Sequence, residues 1–356
     1  MITASAATRP ASSDYAAPWG GRAYVTDLDG PVHWIEFDPR IPRIPKTPQT
    51  PDQTADQTPD QTAAHDPDPG RQPPPIVFVH GLGGSHLNWC RIGPQLAAGR
   101  RAVARDLRGF GLTPGRRVNS TVRANARLLD RFITEVIGAP AVLVGNSMGG
   151  LISILETAAN PDAIKGVVLI DPALPLPPQK PDWQVSSQFL LYALPGLGEH
   201  AVAKFMRTVS PETAVQQVLE LCFADPSRAD PDLIKAEVAL LARRHPATPA
   251  RASARARIFL AAARSLLRVL SRRQRYAAMM AGIDVPVLLI GGEDDRLVPI
   301  AAMRQAAAQN PRWESVILAG VGHTPMLEVP DVVTVAIQDW LTRTQEGAGH
   351  AATDRT

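Results

Sequence analysis

The sequence predicts an α/β fold: a mostly parallel central sheet with helices on both faces, plus an inserted helical segment. Three observations predict it. Short apolar runs of strand length alternate with helix-length segments from Ile76 to Asp171, and again from Val285 to Leu341. Between Pro172 and Gly282 the strand pattern disappears and helical periodicity takes over. At Ala141–Gly150 an apolar run enters Gly145-Asn146-Ser147-Met148-Gly149, and a helix-compatible run, Leu151–Ala158, follows. That is strand, sharp turn and helix, with a serine at the apex.

The elements follow in order. Met1–Asp14 is small and polar, and residues 1–21 read as a flexible tail. Ala23–Phe37 reads as a hairpin turning at Leu28-Asp29-Gly30. Residues 38–75 are rich in Pro, Thr, Gln and Asp, and Asp-Gln-Thr recurs at Asp52, Asp56 and Asp60. With almost no apolar side chain to offset the entropy of ordering, this stretch reads as a disordered insertion, either a tolerated surface loop or a partner tether. Ile76–His80, Val103–Asp106, Ala141–Asn146 and Val167–Asp171 read as strands, with helices at Ser120–Ile137 and Leu151–Ala159. Prolines 172, 175, 177, 178 and 181 open the helical segment of residues 173–282. The alternation then resumes with strand Val285–Gly291, where Pro286 is tolerable at the strand's start. Helix Ile300–Ala308, strand Trp313–Leu318 and helix Val332–Leu341 follow, and residues 344–356 read as a tail. The two-part core is thus residues 22–172 and 283–343.

The turn at Ser147 puts chemistry in reach. So tight a turn strains its apex, and its neighbours two positions away must be small; Gly145 and Gly149 are. The serine hydroxyl is lifted clear of the sheet, beside the Met148 amide at a helix N-terminus. Acyl transfer further needs a base and a carboxylate to orient it. Gly292-Glu293-Asp294-Asp295-Arg296-Leu297-Val298-Pro299 and Gly320-Val321-Gly322-His323 each follow a strand, at the sheet edge where active sites assemble. With His80-Gly81-Leu82-Gly83-Gly84-Ser85 and Asp106-Leu107-Arg108-Gly109-Phe110-Gly111, these pieces occur in one order across residues 22–343, and in that order the chain resembles the α/β-hydrolase family.

That resemblance implies roles. Ser147 is the nucleophile, His323 the general base and then acid, and Asp295 the orienting carboxylate. The amides of Leu82 and Met148 form the oxyanion hole. His80 orders the oxyanion loop, while Gly81, Gly83, Gly145 and Gly149 support the two turns. Asp294 and Asp171 compete with Asp295, since Asp171 ends a strand where some relatives carry the acid. Asp106 and Arg108 belong to a turn that is usually structural, and Glu328 supports the following helix. His33, His65, His86, His200, His245 and His350 show no triad partner and read as structural or solvated. The helical segment 173–282 falls where the family inserts a cap whose lining selects substrate. Candidates are Trp183, Phe189, Leu190, Leu191, Tyr192, Leu194, Phe205, Met206, Leu219, Leu221 and Phe223.

In that segment Arg257, Arg264, Arg268 and Arg275 share one helical face, flanked by Arg272, with Phe259, Ala262, Leu266, Val269 and Leu270 opposite. An anionic membrane surface, an acidic substrate, or simply solvent would suit it. The charge of the chain as a whole, +3 from 37 basic and 34 acidic side chains, is too balanced to indicate nucleic acid. Cys90 and Cys222 are far apart and suggest no disulfide framework or metal spacing. The first residues lack a secretory core, and no stretch approaches a membrane span, so the expectation is a cytoplasmic protein.

The expected activity is a serine hydrolase cleaving a carboxylic ester of an apolar small molecule or lipid through an acyl-enzyme. It needs no metal or organic cofactor. The alternatives are a carbon–carbon bond hydrolase acting on a dienoate, a cofactor-free haloperoxidase-like or acyltransferase activity, and a non-catalytic binding protein on this scaffold. Oligomeric state leaves no signal in the sequence.

Overall fold

The computed structural model describes residues 7–38, 73–175, 187 and 190–353. Its strands are β1 (Thr8–Pro10), β2 (Gly21–Asp27), β3 (Pro31–Phe37), β4 (Ile76–Val79), β5 (Ala102–Arg105), β6 (Ala141–Asn146), β7 (Ile164–Ile170), β8 (Val287–Gly292) and β9 (Glu314–Leu318). They form one sheet in the order β1-β2-β3-β5-β4-β6-β7-β8-β9. From β5 to β9 neighbours run parallel, and β1, β2 and β3 add an antiparallel edge.

The period of two along each strand divides the core. Val77, Val79, Leu143, Val167, Leu169 and Leu289 face one layer, and Ile76, Phe78, Val142, Val144, Val168 and Ile290 face the other. Helices α1 (Gly93–Leu96), α2 (Val122–Phe132) and α3 (Met148–Ala159) belong to the first half of the core. Both faces of the central strands are therefore covered, which explains their unbroken apolar sequences. The order of strands reverses between β4 and β6. The carboxyl ends of those two strands flank the crevice where α/β sheets bind ligands.

Between β7 and β8 the described chain is helical: α4 (Leu197–Thr208), α5 (Pro211–Cys222), α6 (Pro231–Arg243), α7 (Pro249–Leu270) and α8 (Arg273–Ala281). Ser210-Pro211, Asp230-Pro231 and Thr248-Pro249 start three of them. In each, a side-chain oxygen caps the free amides and proline supplies the first helical φ. Helices α9 (Ile300–Gln309), α10 (Pro325–Glu328) and α11 (Pro330–Thr353) complete the chain.

Several expectations are corrected. Residues 1–21 are not all tail: Thr8–Pro10 pairs with Tyr24–Thr26, and Trp19 is buried. A three-residue polar edge strand has no periodicity to read, and its Pro10 is tolerable only at an edge. Residues 344–356 are not all tail either, because α11 runs to Thr353. Buried Val333, Ile337 and Trp340 hold that helix on the core. The arginine stripe does not lie on one helix, since Ser271 and Arg272 break α7 from α8. Of the insertion at 38–75, residues 39–72 lie outside the described residues, as do Trp183 and Phe189.

Candidate active site

Ser147 sits between β6 and α3 with φ 54° and ψ −120°, a strained conformation for a residue with a Cβ. The strain persists because the surroundings over-determine it. Ser147 N donates to Ile170 O, while Ser147 O accepts from Leu151 N and Ala173 N. Helix α3 starts at Met148 rather than Leu151, with Gly149 and Gly150 inside it. Gly149 cannot carry a side chain, because a Cβ there would lie 1.9 Å from Val79 O. The helix thereby packs its first turn directly onto β4.

The loop after β4 supplies the second wall. His80 is fully buried, and burial pushes its imidazole down to about 4, so it is neutral near pH 7. Leu107 N donates to Nε2 at 3.0 Å, which leaves the proton on Nδ1, and Nδ1 donates to Gly81 O at 2.8 Å. The peptide linking Gly81 to Leu82 is trans and planar, so its N–H points opposite to its C=O. By holding the Gly81 carbonyl, His80 turns the Leu82 amide the other way. Gly81 itself abuts Ser147: a Cβ at Gly81 would lie 3.1 Å from the Ser147 Cβ. Neither the Leu82 nor the Met148 amide donates to a backbone acceptor in a loop or cap of the described residues, and Met148 opens its helix. Gly83, at φ 85°, completes the turn.

The loops after β8 and β9 bring Asp295 and His323 together. His323 Nδ1 lies 2.7 Å from Asp295 Oδ2, and both residues are buried. The other oxygen, Asp295 Oδ1, accepts from Leu297 N at 2.7 Å and Val298 N at 3.0 Å. Asp294 does not compete for this place. Asp171 lies beside Asp295, fully buried at φ 40°, and accepts from Gly292 N. Burial, and next the Asp295 carboxylate, hold the Asp171 carboxyl well above the usual range.

Three residues that sequence reasoning did not single out, or placed elsewhere, hold this loop. Asn146 Nδ2 donates to Ile170 O and to His323 O at 3.1 Å, tying the elbow to the histidine loop. His323 N donates to Cys222 O at 2.6 Å, so the end of α5 clamps the histidine backbone. A Cβ at Gly322 would strike that same carbonyl at 2.3 Å. Glu328 does more than support its helix. Its buried carboxylate accepts from Gly322 N (2.8 Å), Ala224 N (3.2 Å) and Asp225 N (3.0 Å), and pairs with Arg228. The Asn after Gly145 and the Glu five residues after His323 were visible in the sequence. The Cys222 carbonyl was not, because every residue has one.

Phe259 on α7 approaches the oxyanion loop, 3.9 Å from where a Gly83 Cβ would stand. Phe110 and Tyr192 pack edge-on against it, at 6.4 and 5.4 Å between ring centroids. Together with half-buried Leu82 they form an apolar wall beside the turn. Of the cap residues expected to line a pocket, Leu190, Leu194 and Phe205 are exposed, whereas Phe223 is buried.

His33, His86 and Asp106 place potential metal-ligand atoms within 4.8 Å of one another. Both Nδ1 atoms are engaged with Asp106, at 2.9 and 3.0 Å, and its carboxylate also accepts from His86 N and Leu112 N. Burial alone would raise Asp106, but His86 and His33 outweigh it and hold the acid well below its usual value. The cluster thus anchors the loops after β4 and β5 through the two Nδ1 atoms, while His33 Nε2 and His86 Nε2 are buried without a hydrogen-bond partner among the described residues.

The chain matches the family model described as alpha/beta hydrolase fold over residues 74–330. A rice protein (Oryza sativa subsp. indica) named "Probable esterase PIR7A" is 33% identical over 143 residues, 38% of this chain and 47% of that protein, so the match spans about half of that relative. The pimeloyl-[acyl-carrier protein] methyl ester esterase of Xanthomonas oryzae pv. oryzae is 29% identical over 267 residues, 74% of this chain and 94% of the relative. Among solved structures, the haloalkane dehalogenase DatA from Agrobacterium tumefaciens superposes with TM-score 0.67 at 19% identity, over 93% of this chain and 100% of that one. That likeness concerns the fold alone.

Proposed function

We propose that this chain, which belongs to the alpha/beta hydrolase family and is a hydrolase, cleaves carboxylic esters with an apolar acyl or alcohol part through an acyl-enzyme on Ser147. The observation that carries the reading is the strained Ser147, tethered through Asn146 to a histidine whose Nδ1 is held 2.7 Å from a buried carboxylate.

The steps follow from the donors and acceptors. His323 Nδ1–H donates a hydrogen bond to the Asp295 carboxylate, which leaves Nε2 as the basic nitrogen. His323 takes the Ser147 proton as the hydroxyl oxygen adds to the ester carbonyl. The carbonyl oxygen becomes an oxyanion, and the Leu82 and Met148 amides donate to it; fixed donors of this kind are worth roughly 3 kcal/mol each. His323 then gives its proton to the leaving alcohol as the C–O bond breaks. Water repeats the cycle on the acyl-enzyme, releasing the acid and restoring Ser147.

Leu82, Phe110, Tyr192 and Phe259 favour an apolar group beside the scissile bond. Relatives named as esterases support an ester as the substrate. No metal or organic cofactor takes part in these steps. The test is labelling with a fluorophosphonate, read by peptide mass, on wild type and Ser147→Ala. Labelling of Ser147 that the variant loses supports the reading. A folded wild type that does not label overturns it. A panel of p-nitrophenyl esters alongside a dienoate then separates ester from carbon–carbon hydrolysis.

A further inference from the structure

Residues 238–283 contain ten arginines and no acidic residue, in a chain whose net charge is only +3. The rest of the chain is therefore net acidic, and its positive charge is concentrated on α7, α8 and the end of α6. The structure divides these arginines by what they meet. Arg264 is neutralised: its guanidinium bonds both oxygens of Glu199 at 2.5 and 3.0 Å, and the carbonyls of Tyr192 and Leu194. Arg244 turns inward and donates to Gly109 O. Arg268, Arg272 and Arg275 stay exposed, and none of them has an ion-pair partner among the described residues.

Those three line one cavity of about 140 Å³, and Arg123 from the first turn of α2 lines it too. Four arginines, from α2, α7, the α7–α8 junction and α8, thus border one space. Lining a common concavity is what distinguishes them from a solvated basic face. Like charges gathered around one space repel one another unless an anion lies between them. Arginine's planar fork meets the oxygens of a phosphate two at a time. A water occupies roughly 30 Å³, so the space holds an oxyanion larger than one or two waters. Val122, Val269, Met279 and buried Tyr276 supply an apolar floor.

We propose that this cavity between α2, α7 and α8 is a binding site for a phosphate-bearing ligand, gripped by Arg123, Arg268, Arg272 and Arg275, with its apolar part on the Val122–Val269–Met279 floor. It is separate from the Ser147 site, none of whose residues lines it. The ligand is either a soluble phosphoester or the headgroup of an acidic phospholipid.

Calorimetric titration of the full chain with inorganic pyrophosphate tests the site. The variants are Arg268→Gln with Arg275→Gln, and a control, Arg251→Gln with Arg257→Gln, which removes the same charge from elsewhere on α7. Saturable wild-type binding that weakens at least tenfold in the first variant, but under threefold in the control, supports the site. Failure of wild type to bind up to millimolar pyrophosphate, or equal weakening in both variants, overturns it. Circular dichroism and thermal melting establish that each variant is folded. Co-sedimentation with phosphatidylcholine vesicles containing phosphatidic acid assigns the source. Sedimentation lost in the first variant alone indicates a lipid headgroup, whereas pyrophosphate binding without vesicle binding indicates a soluble phosphoester.

Discussion

Replacing Asp295 by asparagine tests which of two buried acids orients His323. The change preserves size, so its effect comes from protons. Asp295 Oδ1 accepts from Leu297 N and Val298 N, while Oδ2 faces His323 Nδ1 at 2.7 Å. An asparagine at this position must keep its carbonyl oxygen toward the two amides, because an NH₂ there would meet two donors. Its NH₂ therefore faces Nδ1 and makes that nitrogen an acceptor. The imidazole proton moves to Nε2, and His323 cannot take a proton from Ser147. Loss of the correct tautomer in a serine hydrolase triad costs about 10⁴-fold in kcat, or about 5.5 kcal/mol of activation free energy. The expected result is that loss in p-nitrophenyl ester turnover, with KM nearly unchanged. Asp171→Asn should stay within about tenfold of wild type, because Asp171 already holds its proton and an amide can still accept from Gly292 N. An Asp295→Asn enzyme within tenfold of wild type, beside a collapsed Asp171→Asn enzyme, refutes the reasoning and makes Asp171 the orienting acid.

Three further outcomes follow. Gly149→Ala drives a Cβ to 1.9 Å from Val79 O, against backbone on both sides, and should cost at least about 3 kcal/mol, seen as a lower melting temperature or insoluble protein; unchanged melting would show that α3 can lift off β4. Glu328→Ala removes an acceptor shared by three backbone amides and Arg228, so stability should fall by about 3 kcal/mol in urea unfolding and kcat should fall as the His323 loop loosens. Burial pushes Glu156 up to about 7 from its ordinary 4.5, so the folded state holds that proton more tightly than the unfolded chain does. Stability from this group is full below pH 4.5 and declines as pH rises to 7, by about 3 kcal/mol in all. Glu156→Gln should flatten that decline between urea melts at pH 5 and pH 8, and an unaltered slope would assign the decline to other groups.

What the sequence made legible depended on local chemistry. Ser147, Asp295 and His323 could be named because each follows an apolar strand and sits among glycines that only a tight turn needs. β4, β6, β7 and β8 were legible because burial on both faces leaves polar residues only near strand ends, Lys165 in β7 and Asn146 in β6. β1 was not, since three exposed residues, joined to β2 by backbone and the Thr8–Thr26 hydroxyl contact, leave no apolar pattern. The arginine stripe misled for a related reason. Helical periodicity continued across Ser271 and Arg272, although the backbone breaks there, so Arg275 and Arg268 line one cavity from two helices rather than one. Arg264 shared the stripe's spacing, yet its ion pair with Glu199, 65 positions away, depends on how α4 packs on α7.

The rivalry between Asp171 and Asp295 shows why sequence could rank the acids but not explain them. Both end up behind His323, and two ionised carboxylates buried side by side would repel in a poorly screened environment. One of the pair must take a proton, and the donors decide which. Asp295 receives three: two backbone amides and the imidazole. Asp171 receives one backbone amide, from Gly292, and is fully buried. The proton therefore rests on Asp171, in keeping with its raised affinity for it. A single negative charge then stands behind His323, on the carboxylate aimed at Nδ1. Asp171→Asn leaves that charge in place, which is why its cost should be small beside that of Asp295→Asn.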